Sequence, residues 1–76
     1  MQKLPSLGPK EVIRTLKRLG FAEDRQKGSH LVMYNSLSKK RAVIPVHPGR
    51  DIKKPLLLAI IEKDAGISVE EFLENL

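Results

Sequence analysis

The chain has 76 residues, of which 41% are hydrophobic and 30% are charged, with a formal net charge of +5 and no cysteine. This length predicts a single domain over residues 1–76, because it is too short for two hydrophobic cores. The lack of cysteine excludes a disulfide framework and a thiolate zinc site. No apolar run approaches the roughly 20 residues of a membrane span, so we expect a soluble, cytoplasmic protein that does not contact a membrane.

The charge is distributed unevenly along the chain. Residues 1–54 contain 13 Lys and Arg against 4 Asp and Glu, whereas residues 55–76 contain 1 against 5. A basic body with an acidic C-terminal segment is typical of a protein that binds a polyanion on one face. A lysine-rich surface is also common in small soluble proteins, so charge leaves nucleic-acid binding as one of two interpretations.

The first predicted element is an amphipathic helix. Gly8 is an acceptable N-cap, Pro9 suits the first helical position, and Glu11 lies near the positive end of the helix. Apolar residues follow at helical spacing, and Gly20 is typical of the position just beyond a helix C-terminus. These features predict a helix over residues 9–19 with a basic flank.

Three strand candidates come next. Residues 21–27 are a weak candidate because only the first two are apolar, whereas residues 31–35 and 41–46 are stronger. The polar segment 35–40 between the stronger two predicts a hairpin loop. The sequence therefore predicts three consecutive strands in the first two thirds of the chain.

The sequence leaves two features of this sheet open. Alternation places His30 and every second residue after it on one face of the middle strand, and Leu31 and Met33 on the other. Both sets are apolar enough that either face can be the core. Pro45 cannot donate to a strand ladder, which favours either an edge strand or a bulge.

The C-terminal third predicts helices. A turn at Pro48-Gly49 precedes a helix over residues 55–64 that ends at Gly66, and its run Leu56–Ile61 is apolar all round, which predicts burial. The capping-box spacing of residues 68–71 predicts a short terminal helix. The order is then α-β-β-β-α with a C-terminal helical appendage. A three-stranded antiparallel sheet covered by helices on one face is the natural α+β solution.

The strongest candidate site is the segment Arg25-Gln-Lys-Gly-Ser-His30, which places an imidazole at the start of a strand beside two cations. Imidazole readily accepts and gives up a proton near neutral pH. Arg25 and Lys27 carry charge suited to phosphate, and Gly28 allows a close backbone approach. Ser29 is predicted to bind RNA together with these three residues. Neighbouring cations also favour the neutral imidazole that a general base requires. Together these residues indicate RNA chemistry centred on His30, although a lone histidine at a strand start is more often a surface residue.

Two interpretations of His47 stay open. It is either a second proton carrier beside His30 or a polar residue that ends the strand, and the turn that follows it favours the second. Two histidines without clustered carboxylates do not form a usual ligand set for a metal ion. We therefore predict neither a metal nor any other cofactor.

The remaining basic residues predict how RNA is bound. Tyr34 is the single tyrosine and there is no tryptophan, which argues against a platform on which bases stack. Recognition directed at the RNA backbone fits better. Lys39 and Arg41, in and beside the predicted hairpin loop, join the first two cations as predicted RNA-binding residues.

Several segments occur in one order over nearly the whole chain. They are GPKEVIRTL at 8–16, LGF at 19–21, RQKGSH at 25–30, VIPVH at 43–47 and IIEKDAGI at 60–67, followed by Glu71-Phe72. This pattern resembles the HicA toxins, the YcfA-like family of mRNA interferases. The resemblance implies a double-stranded-RNA-binding-domain-like fold over a single HicA-like domain and RNA cleavage with His30 as the catalytic residue. It also implies a HicB-like antitoxin that binds the toxin and blocks its active site.

The leading hypothesis is therefore the toxin of a type II toxin–antitoxin pair, a metal-independent endoribonuclease that cleaves mRNA. His30 would take the proton of a ribose 2′-hydroxyl, and Arg25 and Lys27, with Arg41 or Lys39, would stabilise the charge that develops on the phosphate. The general acid is unassigned. The alternatives are a non-catalytic RNA-binding module on the same fold and an interaction protein whose acidic C-terminal helix docks a partner. We expect no contact of the chain itself with DNA.

Overall fold

The elements of the protein follow the predicted order in a computed structural model that describes residues 4–76. They are helix α1 (Pro9–Arg18), strands β1 (Ala22–Lys27), β2 (His30–Asn35) and β3 (Lys40–Pro45), helix α2 (Lys54–Ala59) with its π-helical continuation (Ile60–Asp64), and helix α3 (Val69–Glu74). The strands form one antiparallel sheet in the order β1-β2-β3. The predicted α-β-β-β-α layout with a short C-terminal helix is confirmed.

Local sequence signals set both ends of α1. The Gly8 N–H donates to Glu11 Oε2 at 3.0 Å, so this carboxylate satisfies a backbone donor that the helix start would otherwise leave open. At the other end Gly20 has a φ of 99°, and the N–H of Phe21 reaches back to the Leu16 carbonyl at 2.9 Å. This Schellman-type ending stops the helix at Arg18, one residue before the predicted end.

The structure settles which sheet face is the core. Leu31 and Met33 of β2 are buried, as are Ala42 and Ile44 of β3, while His30 lies on the opposite face and is exposed. We call that opposite face the outer face, since the helices pack on the other one. β3 is an edge strand, which is one of the two positions that its terminal proline allows.

The helices cover only part of the sheet. Helix α1 and the π-helical segment pack on β3, and the fully buried large side chains come from every element except β1. All six residues of β1 are exposed, so this strand is held by its ladder with β2 and adds nothing to the core. The scarcity of apolar residues that made it a weak candidate thus reflects its position beyond the helical layer.

The prediction that Leu56–Ile61 is buried all round is wrong in part. Leu57, Ile60 and Ile61 are buried, whereas Leu56 is 45% and Leu58 is 39% exposed. Helix α2 turns one face to the core and the other to solvent, so an uninterrupted apolar run does not place every side chain inside. The predicted extent to Asp64 is confirmed, with π-helical geometry over the last five residues.

The C-terminal helix α3 is tied to α1. The Ser68 Oγ accepts from the Glu71 N–H at 3.0 Å, which is the bond expected of the predicted cap, and Phe72 is fully buried. The Arg18 guanidinium donates to the carbonyls of Asn75 and Leu76 at 3.1 and 2.9 Å. Within residues 4–76 no helix combines the length and the apolar character needed to cross a bilayer.

Candidate functional site

A tight turn fixes His30 opposite a cation. Gly28 and Ser29 form the loop between β1 and β2, and Lys27 pairs with His30 across it. Gly28 has a φ of 59° while Ser29 does not have a positive φ, a pattern that matches the first central glycine of a type II′ hairpin turn. Because directly opposed residues share a sheet face, the Lys27 and His30 side chains both lie on the outer face.

The outer face around His30 is cationic and open to solvent. Arg25 pairs with Val32, one step along the same face, and Pro45 pairs with His30 from the other side. His30 and both cations are exposed. Within residues 4–76 the salt bridges join Lys17 to Glu23 and Arg41 to Asp24. Arg25 and Lys27 are therefore not paired with a carboxylate in this part of the chain. The structure therefore brings together three of the predicted site residues.

Lys39 and Arg41 lie at the other end of β2. Arg41 pairs with Tyr34, four residues from His30, which at about 3.3 Å per residue is a separation of about 13 Å along the strand. Its guanidinium sits 4.8 Å from the Tyr34 ring centroid and 2.7 Å from Asp24 Oδ2. Lys39, at a φ of 62° in the β2–β3 loop, is farther still. Neither cation is placed to contact a phosphate that His30 contacts.

His47 lies at the same end of the sheet as His30. The Val46 N–H donates to the Ser29 carbonyl at 2.6 Å, which extends the pairing of β3 past Pro45. The next residue, His47, is exposed and begins a turn closed by the Arg50 N–H on its carbonyl at 3.2 Å. This placement is compatible with both predicted interpretations of His47.

The two imidazoles have no protein partner among the described residues. None of the hydrogen bonds within residues 4–76 involves a ring nitrogen of His30 or His47, so both rings can meet a bound molecule. In the same part of the chain no group of three or more His, Asp or Glu is arranged to hold a metal ion. The exposed groups beside this surface are the two cations and the imidazole, which are chemically suited to phosphate binding and to proton transfer.

The sequence reasoning missed a groove beside His47. It is lined by Pro45, His47, Arg50, Asp51, Ile52, Lys53 and Leu56, and we call it the α2 groove. Its basic residues are ordinary in the sequence, and Leu56 was expected to be buried. The signal that could have found it is the clustering of Arg50, Lys53 and Lys54 directly after the Pro-Gly turn.

Comparison with known proteins gives a family for the chain. Residues 9–67 match the family model described as HicA toxin of bacterial toxin-antitoxin. The chain belongs to the HicA toxin family. The matched region of this HicA-family toxin starts at the first residue of α1 and contains every site residue predicted from the sequence, while α3 lies beyond it. No curated protein matches the chain. The resemblance expected from the segment pattern is confirmed.

Proposed function

We propose that this HicA-family toxin is an endoribonuclease that cleaves mRNA without a metal ion, with His30 as its general base. The observation that supports this most strongly is the register of β1 and β2. It sets an exposed imidazole directly opposite Lys27 and one step from Arg25, and no carboxylate in the described chain neutralises either cation. A phosphodiester placed over this face would meet a proton acceptor and two positive charges together.

The chemistry follows from these groups. A ring nitrogen of His30 accepts the proton of a ribose 2′-hydroxyl, and the oxygen attacks the adjacent phosphorus. The bond from phosphorus to the 5′-oxygen breaks, and that oxygen takes a proton from a general acid, for which water and His47 are the candidates. The products are a 2′,3′-cyclic phosphate and a free 5′-hydroxyl. Arg25 and Lys27 stabilise the negative charge that builds up on the phosphate oxygens during the attack.

The other predicted RNA-binding residues take separate parts in this proposal. Gly28 and Ser29 form the turn beside His30 and let the RNA backbone approach closely. Lys39 and Arg41, about 13 Å or more along the sheet, bind phosphates several nucleotides from the cleaved bond. They add affinity that depends on salt concentration and no charge stabilisation at the reacting phosphate.

The alternative of a non-catalytic RNA-binding module is supported by one specific observation. Many catalytic imidazoles are oriented by a hydrogen bond that the ring N–H donates to a second side chain, whereas the His30 ring has no such partner within residues 4–76. On this reading the cations bind RNA and His30 is one more polar contact. The substrate itself must orient the ring if the catalytic proposal is correct.

We also propose a HicB-like antitoxin as the protein partner. An inhibitor that covers the outer face has to meet Arg25, Lys27 and the His30 ring, so its contacting surface is expected to be acidic. Such a partner competes with RNA phosphates for the same cations. Binding of the antitoxin and binding of RNA are then mutually exclusive.

The test is cleavage of a labelled RNA and of the same RNA with one 2′-deoxyribose at the cut position, both with excess EDTA. We expect the RNA to be cut in EDTA to a cyclic phosphate product, because the proposed chemistry uses His30, Arg25 and Lys27 alone and residues 4–76 hold no cluster of carboxylates that could bind Mg²⁺. The deoxy substrate should resist cleavage at that position. Activity that disappears with EDTA and returns with Mg²⁺, or a cleaved deoxy substrate, would refute the mechanism.

A further inference from the structure

The α2 groove combines an exposed apolar side chain with positive charge. Leu56 is 45% exposed although it lies in an apolar run, and it lines the groove together with the half-buried Pro45 and the exposed Arg50 and Lys53. Neither basic side chain is in a salt bridge within the described chain. A purely apolar occupant would leave these cations unmatched, whereas a nucleotide has an apolar base face and a charged phosphate.

Backbone pairing connects this groove directly to His30. Pro45 is both the cross-strand partner of His30 and a wall of the groove. Val46, the residue after Pro45, is held against the β1–β2 turn by the hydrogen bond that its N–H donates to the Ser29 carbonyl. An RNA strand with a phosphate at His30 would reach the α2 groove if it continued past Pro45.

We infer that the α2 groove binds the nucleotide that adjoins the cleaved phosphate, an inference that rests on the proposed ribonuclease function. Arg50 and Lys53 contact the phosphate backbone of that nucleotide, and Leu56 and Pro45 pack against its base. Asp51, the one carboxylate that lines the groove, cannot accept from a phosphate but can accept from a base amino group. The groove thus positions the RNA strand so that its 2′-hydroxyl stays at His30.

The first experiment measures binding without cleavage. His30→Ala protein is titrated with a short fluorescein-labelled single-stranded RNA of mixed sequence, with and without the added pair Arg50→Ala and Lys53→Ala. The matched control adds Arg14→Ala and Lys63→Ala, which remove the same charges from exposed positions outside the groove. Loss of two phosphate contacts should weaken binding roughly 10- to 30-fold at about 0.1 M salt. The slope of log affinity against log salt should become less steep by about 1.4.

The second experiment tests the base contact by a double-mutant cycle. The protein change is Leu56→Ala, and the RNA change removes one base at a time along the strand. Both changes are measured with the His30→Ala protein. At the position that occupies the groove, loss of the base should weaken RNA binding, and Leu56→Ala should then cause no further loss. Coupling at one RNA position only supports the inference, while additive effects at every position refute it.

Failure of this inference is distinguishable from failure of the proposed function. If the Arg50→Ala and Lys53→Ala pair leaves RNA binding as the control pair does in the His30→Ala protein, and leaves cleavage as the control pair does when His30 is present, the groove assignment is wrong while the catalytic role of His30 stands. If the parent protein binds RNA but does not cleave it, and the groove variants still lose affinity, the catalytic proposal is wrong and the groove assignment stands. Groove variants that lose a HicB-like antitoxin yet keep full RNA affinity would overturn the inference in favour of a protein-docking groove.

Discussion

Strands β1 and β3 flank the same central strand but are held in different ways. β3 buries Ala42 and Ile44 under the helices and contacts α1 and the π-helical segment. β1 exposes all six of its residues and depends on backbone pairing with β2 and on the tight turn at Gly28. The proposed general base thus lies on the strand that the core anchors, through Leu31 next to it. The two cations lie on a strand that contributes nothing to the core, so stability and function should respond to different substitutions.

The largest effect is expected for His30→Ala. Removal of a general base should slow cleavage by roughly 10²–10⁴, while the free energy of unfolding should change little because the side chain is exposed. Single-turnover cleavage and thermal denaturation measure the two quantities. Lys63→Ala, at an exposed position outside the outer face and the α2 groove, is the control and should leave both quantities near the parent values. Equal cleavage by His30→Ala and the parent protein would contradict the catalytic assignment, and a loss of folding would assign His30 to structure instead.

Substitution in the core should show the opposite profile. Leu16 is fully buried, so Leu16→Ala should lower the free energy of unfolding by about 2–5 kcal/mol. Leu37 is 92% exposed in the β2–β3 loop, and Leu37→Ala should stay within about 0.5 kcal/mol. Urea titration followed by circular dichroism gives both values. Similar losses for the two leucines would show that the core is not where the structure places it.

Gly28→Ala tests how far β1 depends on its turn. A φ of 59° is costly for alanine, so the substitution should destabilise the hairpin by about 1–2 kcal/mol, although no neighbouring atom blocks the new methyl group. Cleavage should fall because Lys27 and His30 lose their register. Ser29→Ala in the same turn is the control for stability and should leave the free energy of unfolding near the parent value. Hydrogen exchange of β1 amides would report the effect locally, and unchanged β1 protection would argue against a turn-dependent strand.

The smallest effect is expected for Asp24→Asn. This change removes the Asp24–Arg41 ion pair, whose side chains are 44% and 50% exposed, so the stability change should be below about 1 kcal/mol and should shrink as salt increases. Arg41 is released by the same change and should bind RNA phosphates more tightly. Glu23→Gln is the control. It breaks the Lys17–Glu23 pair, and Lys17 is not one of the predicted RNA-binding residues. Weaker RNA binding by Asp24→Asn would remove Arg41 from the proposed RNA contacts.

Much of this fold could be predicted from local signals. The cap at Gly8 and the glycine at position 20 specify α1 almost to the residue, because helix ends depend on a few neighbouring groups. The burial of α2 could not be predicted in the same way. An apolar run such as Leu56–Ile61 carries no phase that would distinguish the core face from the solvent face, so the exposed Leu56 and the groove it lines emerge only from tertiary packing.

For the candidate site, the sequence predicts which residues take part but not how they are arranged in space. The residues of the site lie in the segment Arg25–His30, but Lys27 and His30 face each other only because a two-residue turn at Gly28-Ser29 joins their strands. A glycine-containing pair between two strands is a recognisable hairpin signal, and the sequence analysis did not use it. The separation of Lys39 and Arg41 from His30 follows from the length of β2. Cations that are close in the sequence do not necessarily contact the same phosphate, because residues at opposite ends of a six-residue strand are far apart in space.

The π-helical segment makes the C-terminal part of the chain sensitive to its length. Ile60 and Ile61 are both buried at adjacent positions, and the bond from the Ala65 N–H to the Ile60 carbonyl at 2.8 Å spans five residues where an α-helix spans four. The segment therefore holds one residue more than an α-helix of the same rise. Deletion of a residue here would rotate the residues that follow by about 100° about the helix axis. Ala65 would then turn away from the core, and the segment that leads to the buried Phe72 would be displaced. Insertions and deletions should be tolerated in the β2–β3 loop and rejected in this turn.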